Sequence, residues 1–284
     1  MLGPAKQAGG TLWIPSDHDA DPNTVLQGKP PIERGLIYLE RFELGGPSMS
    51  RDAIKTFILA SSVICGVSYM ASWDLNLPPL AGVAWKGSGV ALLAVWAAMS
   101  ARNRAGWEIA AIMAFGALGD VLLEIMGMIP GAVAFLVGHR IAIGLYQRYR
   151  RRDLTRSQIA LAITLVPTVV LIAYLLPSVR SSALGIAVYA LVLSLMAATA
   201  WTSRFPRYQV GLGAIMFVIS DLLIFARTGP LHGMAWVSIA VWSLYYFGQV
   251  LICRGVVITL PVLEAEDEAA NQAAPPNLSA HSAT

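Results

Sequence analysis

The chain has 284 residues, 56% of them hydrophobic and only 13% charged, with a mean hydropathy of +0.61 and a formal charge of +3. That balance excludes an ordinary water-soluble domain, whose core has no room for so much apolar surface, and places the chain among integral membrane proteins. Cys65 and Cys253 both fall inside apolar runs, so neither a disulfide framework nor a thiolate metal site is expected.

Residues 1–50 are rich in Pro, Gly, Asp and Asn and have no sustained periodicity, so they read as a disordered N-terminal tail. Within them, residues 35–42 offer one or two amphipathic turns at most, and Met49 stands just before the first apolar run as an alternative start. No apolar segment of signal-peptide type precedes residue 50.

From Ile54 onward, apolar runs of the length that crosses a bilayer alternate with short polar breaks. Eight helices are expected, near residues 54–73, 80–99, 108–128, 129–147, 157–176, 182–201, 209–226 and 232–258. The break at Met128-Ile129-Pro130-Gly131 is tight and predicts an antiparallel hairpin of the third and fourth helices. The fold class is therefore all-α: a polytopic transmembrane bundle over residues 51–260, followed by a disordered tail over 261–284 that is acidic and then rich in Ala, Pro and Ser.

Lys and Arg concentrate on alternate connections, including Arg102, Arg104, Arg204, Arg207 and the cluster Arg148, Arg150, Arg151, Arg152 and Arg156. The positive-inside rule then puts both termini in the cytoplasm, with the inner membrane as the location in a bacterium. The arginine cluster lies between apolar runs, so it reads as a topology signal and no nucleic-acid partner is expected.

Asp120 and Asp221 break this apolar pattern. An acid near the centre of a membrane helix costs about 2.5–3.5 kcal/mol on insertion scales, so by default it faces the bundle interior and has a task. At the rise of an α-helix, Asp120 lies about 12 Å below the outer face and Asp221 at nearly the same depth. Lys86 on the second helix and His139 on the fourth fall in the same band; Tyr245, Tyr246 and Gln249 of the eighth helix approach from slightly deeper. Polar residues on five helices at one level predict one site, because unrelated substitutions have no reason to share a depth. Gly131, Phe135 and His139 repeat every four residues on one helix face, and Asp120 and Glu124 share a face of the third helix. The sequences Gly119-Asp120-Val121-Leu122 and Ser220-Asp221-Leu222-Leu223 on parallel helices also hint at a 4+4 repeat. Each residue has a plainer reading as well: an Asp or His bonded to a neighbouring helix, Lys86 snorkelling to the interface, and the two tyrosines as packing or belt aromatics.

The same residues resemble the signature of the YhhN-like lysoplasmalogenase family of eight-span membrane proteins. The matches are Gly119-Asp120 with Leu123, then Gly131, Phe135 and His139, then Gly213, Ala214, Phe217, Ser220 and Asp221, with Tyr245-Tyr246 and Gln249 near the end and Lys86 at the start. No single match is specific, but five in order on the expected helices are. The chain departs from the family pattern at Gly87, where a proline often follows the lysine, and at Ala142, where a tyrosine often follows the histidine. Glu124 also is unusual.

The resemblance implies hydrolysis of the vinyl-ether bond of lysoplasmalogens, giving a fatty aldehyde and a glycerophospho-alcohol. Such a reaction needs a general acid, a nearby anion and a base for water, which suit a buried Asp pair. Asp120 and Asp221 are the expected proton donor and ionised partner, in an order left open. His139, Tyr245, Tyr246 and Gln249 are expected to orient water or the carboxyls, Lys86 to meet an acid or the lipid phosphate, Ser220 to support the site or bind substrate, and Glu124 to stand at the margin of the site. No metal or other cofactor is expected. The partners are a lysophospholipid substrate and the bilayer, and the sequence gives no oligomeric state. The alternative is a proton- or ion-coupled transporter using the same acids, and a third reading is a lipid-binding or assembly protein without chemistry.

Overall fold

The structure, a computed structural model, describes residues 50–273. The expectations for residues 1–49, including the amphipathic turns and the start at Met49, and those for 274–284 lie outside the described residues.

Among the described residues eight helices follow one another. They are α1 (Arg51–Ser68), prolonged by a 3-10 turn over Tyr69–Asp74; α2 (Pro79–Ser100); α3 (Arg104–Ile125); α4 (Met128–Arg148); α5 (Arg156–Leu175); α6 (Arg180–Thr202); α7 (Leu212–Ala226), entered through a π turn at Arg207–Gly211; and α8 (Trp236–Ala273). Their ends have local causes. Pro79 opens α2 where its missing N–H is not needed. Asn103 caps α3 by accepting from the Gly106 N–H at 2.9 Å. Thr155 and Gln158 form a capping box at the start of α5.

Seven of the eight helices are long and apolar enough to cross a membrane; α3, which carries Glu108, Asp120 and Glu124, is not among the seven. It packs between α2 and α4 and also touches α8. Large apolar side chains such as Phe57, Leu80, Ile129 and Leu184 point outward and are more than half exposed, as a lipid-facing surface requires. The chain is thus an integral, multi-pass helical membrane protein. Consecutive helices form the hairpins α1–α2, α3–α4, α5–α6 and α7–α8, with α4 against α6 closing the middle of the bundle.

Two boundaries differ from the sequence expectation. The α3–α4 break falls at Met126-Gly127 rather than around Pro130: Gly127 takes a positive φ of 89°, and Pro130 sits in the first turn of α4, where it disturbs no hydrogen bond. The tail expected from residue 261 is still helical as far as Ala273. Acidic residues of this extension meet the arginine-rich end of the bundle. Glu264 accepts from Asn103 and from the Tyr149 hydroxyl, and Arg204 bonds Glu266 at 2.9 Å and Asp267 at 2.6 Å. The extension is held by these contacts, which composition alone does not reveal.

Close helix approach in the core depends on two glycines. A Cβ on Gly213 of α7 would stand 2.7 Å from the Gly248 carbonyl of α8, and one on Gly248 would stand 2.8 Å from the Gly213 carbonyl. The two backbones therefore touch, which fixes α7 and α8 side by side.

Candidate active site inside the bundle

Asp120 lies five residues before the end of α3, and Asp221 lies five residues before the end of α7. Both are therefore about 8 Å from the same face of the bundle. The common depth agrees with the expectation; the smaller value for Asp120 follows from α3 ending at Ile125 instead of Met128. The two carboxyls are buried, with 2% and 6% of their residue surface exposed.

Each carboxyl is held by a phenol from a different helix. The Tyr245 hydroxyl of α8 donates to Asp120 Oδ2 at 2.8 Å, and Gln249 Nε2, one turn further along, donates to that hydroxyl at 3.5 Å. The Tyr189 hydroxyl of α6 donates to Asp221 Oδ2 at 2.6 Å and stands 3.5 Å from His139 Nε2. In so dry a setting a phenol is a useful partner for an acid, since it satisfies an oxygen without adding a charge.

The two carboxyl–phenol pairs flank an aromatic layer. The Phe217 ring lies 5.2 Å from that of Tyr245 and 5.0 Å from His139, while the Phe135 ring lies 5.9 Å from both Tyr245 and Phe217. All four contacts are edge to face, the arrangement ring quadrupoles favour. On the side toward the open end of α3, Lys86 and Glu124 form an ion pair at 2.6 Å, with Glu124 the more exposed partner. Below the aromatic layer a narrow slot, lined in part by His139, Gln249, Phe135 and Phe217, runs toward the arginine-rich end.

Of the residues singled out in the sequence, Asp120, Tyr245 and Gln249 form one polar group, Asp221 and His139 meet at Tyr189 in a second, and Lys86 and Glu124 pair in a third; the first two groups touch through the Phe217 ring. Tyr246 and Ser220 join none of them. Tyr246 points to the opposite flank of α8, where its hydroxyl bonds Ser62 Oγ at 2.9 Å and its ring fills the space over Gly66. Adjacent residues on a helix are about 100° apart, so a Tyr-Tyr pair cannot place both rings on one acid. Ser220 donates instead to the Val241 carbonyl at 3.0 Å, tying α7 to α8.

Tyr189 is the member the sequence reading missed. It lies nine residues into α6, or about 14 Å by helix rise, a depth that a search for buried tyrosines as well as ionisable groups would have flagged.

The bundle defines a polytopic membrane protein that keeps two acids, a histidine and two phenols in one layer among apolar helices. The YhhN family profile matches residues 82–256, a range that contains every residue of that layer, and the chain belongs to the YhhN family. Among curated proteins it is 30% identical over 204 residues to chains from Mycobacterium bovis and Mycobacterium tuberculosis, each named lysoplasmalogenase; the alignments cover 66% of this chain and 77% of theirs. No solved structure matches.

Proposed function

We propose that this protein hydrolyses the vinyl-ether bond of a lysoplasmalogen-type lysophospholipid, releasing a fatty aldehyde and a glycerophospho-alcohol. The observation that carries the reading is the pair of buried carboxyls at one depth, each held by its own phenol. The names of the mycobacterial relatives support the substrate class.

The chemistry runs in two stages, protonation with capture of water and then collapse of the hemiacetal. One carboxylic acid gives its proton to the second carbon of the alkenyl chain, and the first carbon becomes an oxocarbenium ion. The other carboxylate stabilises that cation across a dry site, where electrostatic interactions are strong. A water oxygen then bonds to the first carbon while a water proton passes to a carboxylate. The resulting hemiacetal loses its hydroxyl proton as the bond to the glycerol oxygen breaks and that oxygen takes up a proton. One water is consumed, and the acid pair ends in its starting state.

Like charges in one apolar site oppose double ionisation, so Asp120 and Asp221 share these duties as one donor and one anion. Tyr245 and Tyr189 fix the two carboxyls, and His139 steadies Tyr189. Lys86, at the more exposed margin, holds the lipid phosphate by exchanging Glu124 for it. The arginine-rich connections support, through the positive-inside rule, a topology with both termini in the cytoplasm, in which the Lys86 margin opens on the opposite side.

The direct test is incubation of the detergent-purified protein with an sn-1 alkenyl lysophospholipid and, in parallel, its acyl counterpart. Aldehyde from the alkenyl lipid, with no fatty acid from the acyl one, is the expected result. No aldehyde from folded protein across several head groups would reject the proposal and direct attention to ion flux in sealed vesicles.

A further inference from the structure

Among the described residues only two buried side-chain polar atoms have no hydrogen-bond partner: the Tyr146 hydroxyl and Gln158 Nε2. Gln158 is committed elsewhere through its capping box at the head of α5. Tyr146 has no such duty. It is 1% exposed and lines the slot that runs below the aromatic layer. A buried hydroxyl without a partner is rare and usually marks a missing water or ligand group.

Tyr146 shares a face of α4 with His139, and its ring packs edge to face on Phe205 at 6.1 Å. Phe135, His139, Ala142 and Tyr146 follow one another at spacings of four, three and four, which keeps them on one face of the helix, and all four line the slot. Helical side chains lean back toward the helix N-terminus, so the Tyr146 ring lies over the turn that holds Ala142, below His139. Ala142 contributes only a methyl group there and leaves the space between the two open. Opposite stand Met196 of α6 and Gln249 of α8. The slot has room for about one water molecule, and Tyr146, His139 and Gln249 together offer the two to four polar groups that a buried water requires. Cys253, the other polar group nearby, already donates to the Leu93 carbonyl at 3.7 Å.

We infer that the slot beneath the acid layer is a water site anchored by the Tyr146 hydroxyl, and that it supplies the water that captures the oxocarbenium ion. The second half of this statement rests on the hydrolase reading; the first half does not. Tyr146 is then a positioning residue: it holds water between itself and the His139–Gln249 edge of the site, on the side away from Lys86. Lipid entering from the Lys86 margin and water waiting in the slot would approach the reacting carbon from opposite sides.

Two measurements on the full-length protein separate the halves. In radiolytic hydroxyl-radical footprinting, a bound water marks its buried neighbours. Met196, which lines the slot, is expected to be oxidised, whereas Met113, equally buried on α3 and outside the slot, stays protected. Tyr146→Phe should abolish the Met196 signal, and Ala142→Val, which fills the slot while keeping the phenol hydroxyl, should do the same. Met196 as protected as Met113 in the unaltered protein would overturn the water site, and so would a Met196 signal unchanged in both variants.

The second measurement is turnover in the presence of methanol, which competes for the oxocarbenium ion: its oxygen bonds to the first carbon, its proton goes to a carboxylate, and a mixed acetal forms instead of aldehyde. Tyr146→Phe should lower kcat about tenfold at unchanged KM, the value of one hydrogen bond, and raise the mixed-acetal share. An unchanged product ratio would show that the slot water is not the one that reacts. Footprinting as expected with no turnover in the unaltered protein would leave the water site standing and the hydrolase reading rejected.

Discussion

Tyr189→Phe removes one oxygen from the middle of the bundle and leaves the ring in place. The lost group donates to Asp221 Oδ2 at 2.6 Å and is the link between that carboxyl and His139. Tyr189 is 7% exposed and Asp221 6%, so bulk water does not replace the donor. A hydrogen bond to an ionised group contributes about 1.5–3 kcal/mol, which corresponds to about a ten- to hundredfold fall in kcat if the bond holds Asp221 in its working position. KM should change little, because Tyr189 stands away from the Lys86 margin where the lipid phosphate is proposed to bind. The assay is aldehyde release from an alkenyl lysophospholipid at varied concentration, with a thermal melt followed by circular dichroism to show that the variant is folded. A folded Tyr189→Phe protein with kcat within about twofold of the parent would refute the assignment of this phenol to the site.

Three other outcomes follow from the same geometry. Gly213→Ala drives a methyl group to 2.7 Å from the Gly248 carbonyl, so it should destabilise the protein by about 1–3 kcal/mol, seen as a lower melting temperature in detergent. Lys86→Met should raise KM for the lysolipid about tenfold while kcat holds, as expected for a lost charge-assisted contact to phosphate, and Glu124→Gln should lower KM by freeing Lys86; a fall in kcat alone would place Lys86 in the chemistry instead. Asn103→Ala removes both the cap of α3 and the contact to Glu264, and should cost about 0.5–2 kcal/mol of stability in a denaturation curve.

The helices were legible in the sequence because membrane spans announce themselves by length and apolarity, and the acids were legible because a carboxyl in such a run has few innocent explanations. Depth arithmetic also grouped Lys86, His139, Tyr245 and Gln249 near the acids, and in the structure Tyr245 bonds Asp120 while His139 shares Tyr189 with Asp221. It carries no information on rotation about a helix axis, and here it misled: Tyr246 shares the level of Tyr245 yet faces Ser62 on α1. Tyr189 and Tyr146 were passed over for a related reason. A tyrosine in an apolar helix is unremarked until the structure shows that one phenol reaches a carboxyl and that the other has no hydrogen-bond partner among the described residues. The helical course of residues 261–273 was hidden because it depends on Asn103, Tyr149 and Arg204, which lie far away in sequence.

Asp120 and Asp221 are proposed to act together, so neither alone should suffice. Asparagine keeps the shape of each side chain and removes its ability to give or take the proton, so the decisive measurement is aldehyde release by Asp120→Asn and Asp221→Asn beside the parent protein, with folding checked by melting temperature. Both variants should fold and should each lose about 10²–10⁴ in rate, the usual contribution of a general acid or base. A folded variant of either that turns over at the parental rate would contradict the acid pair.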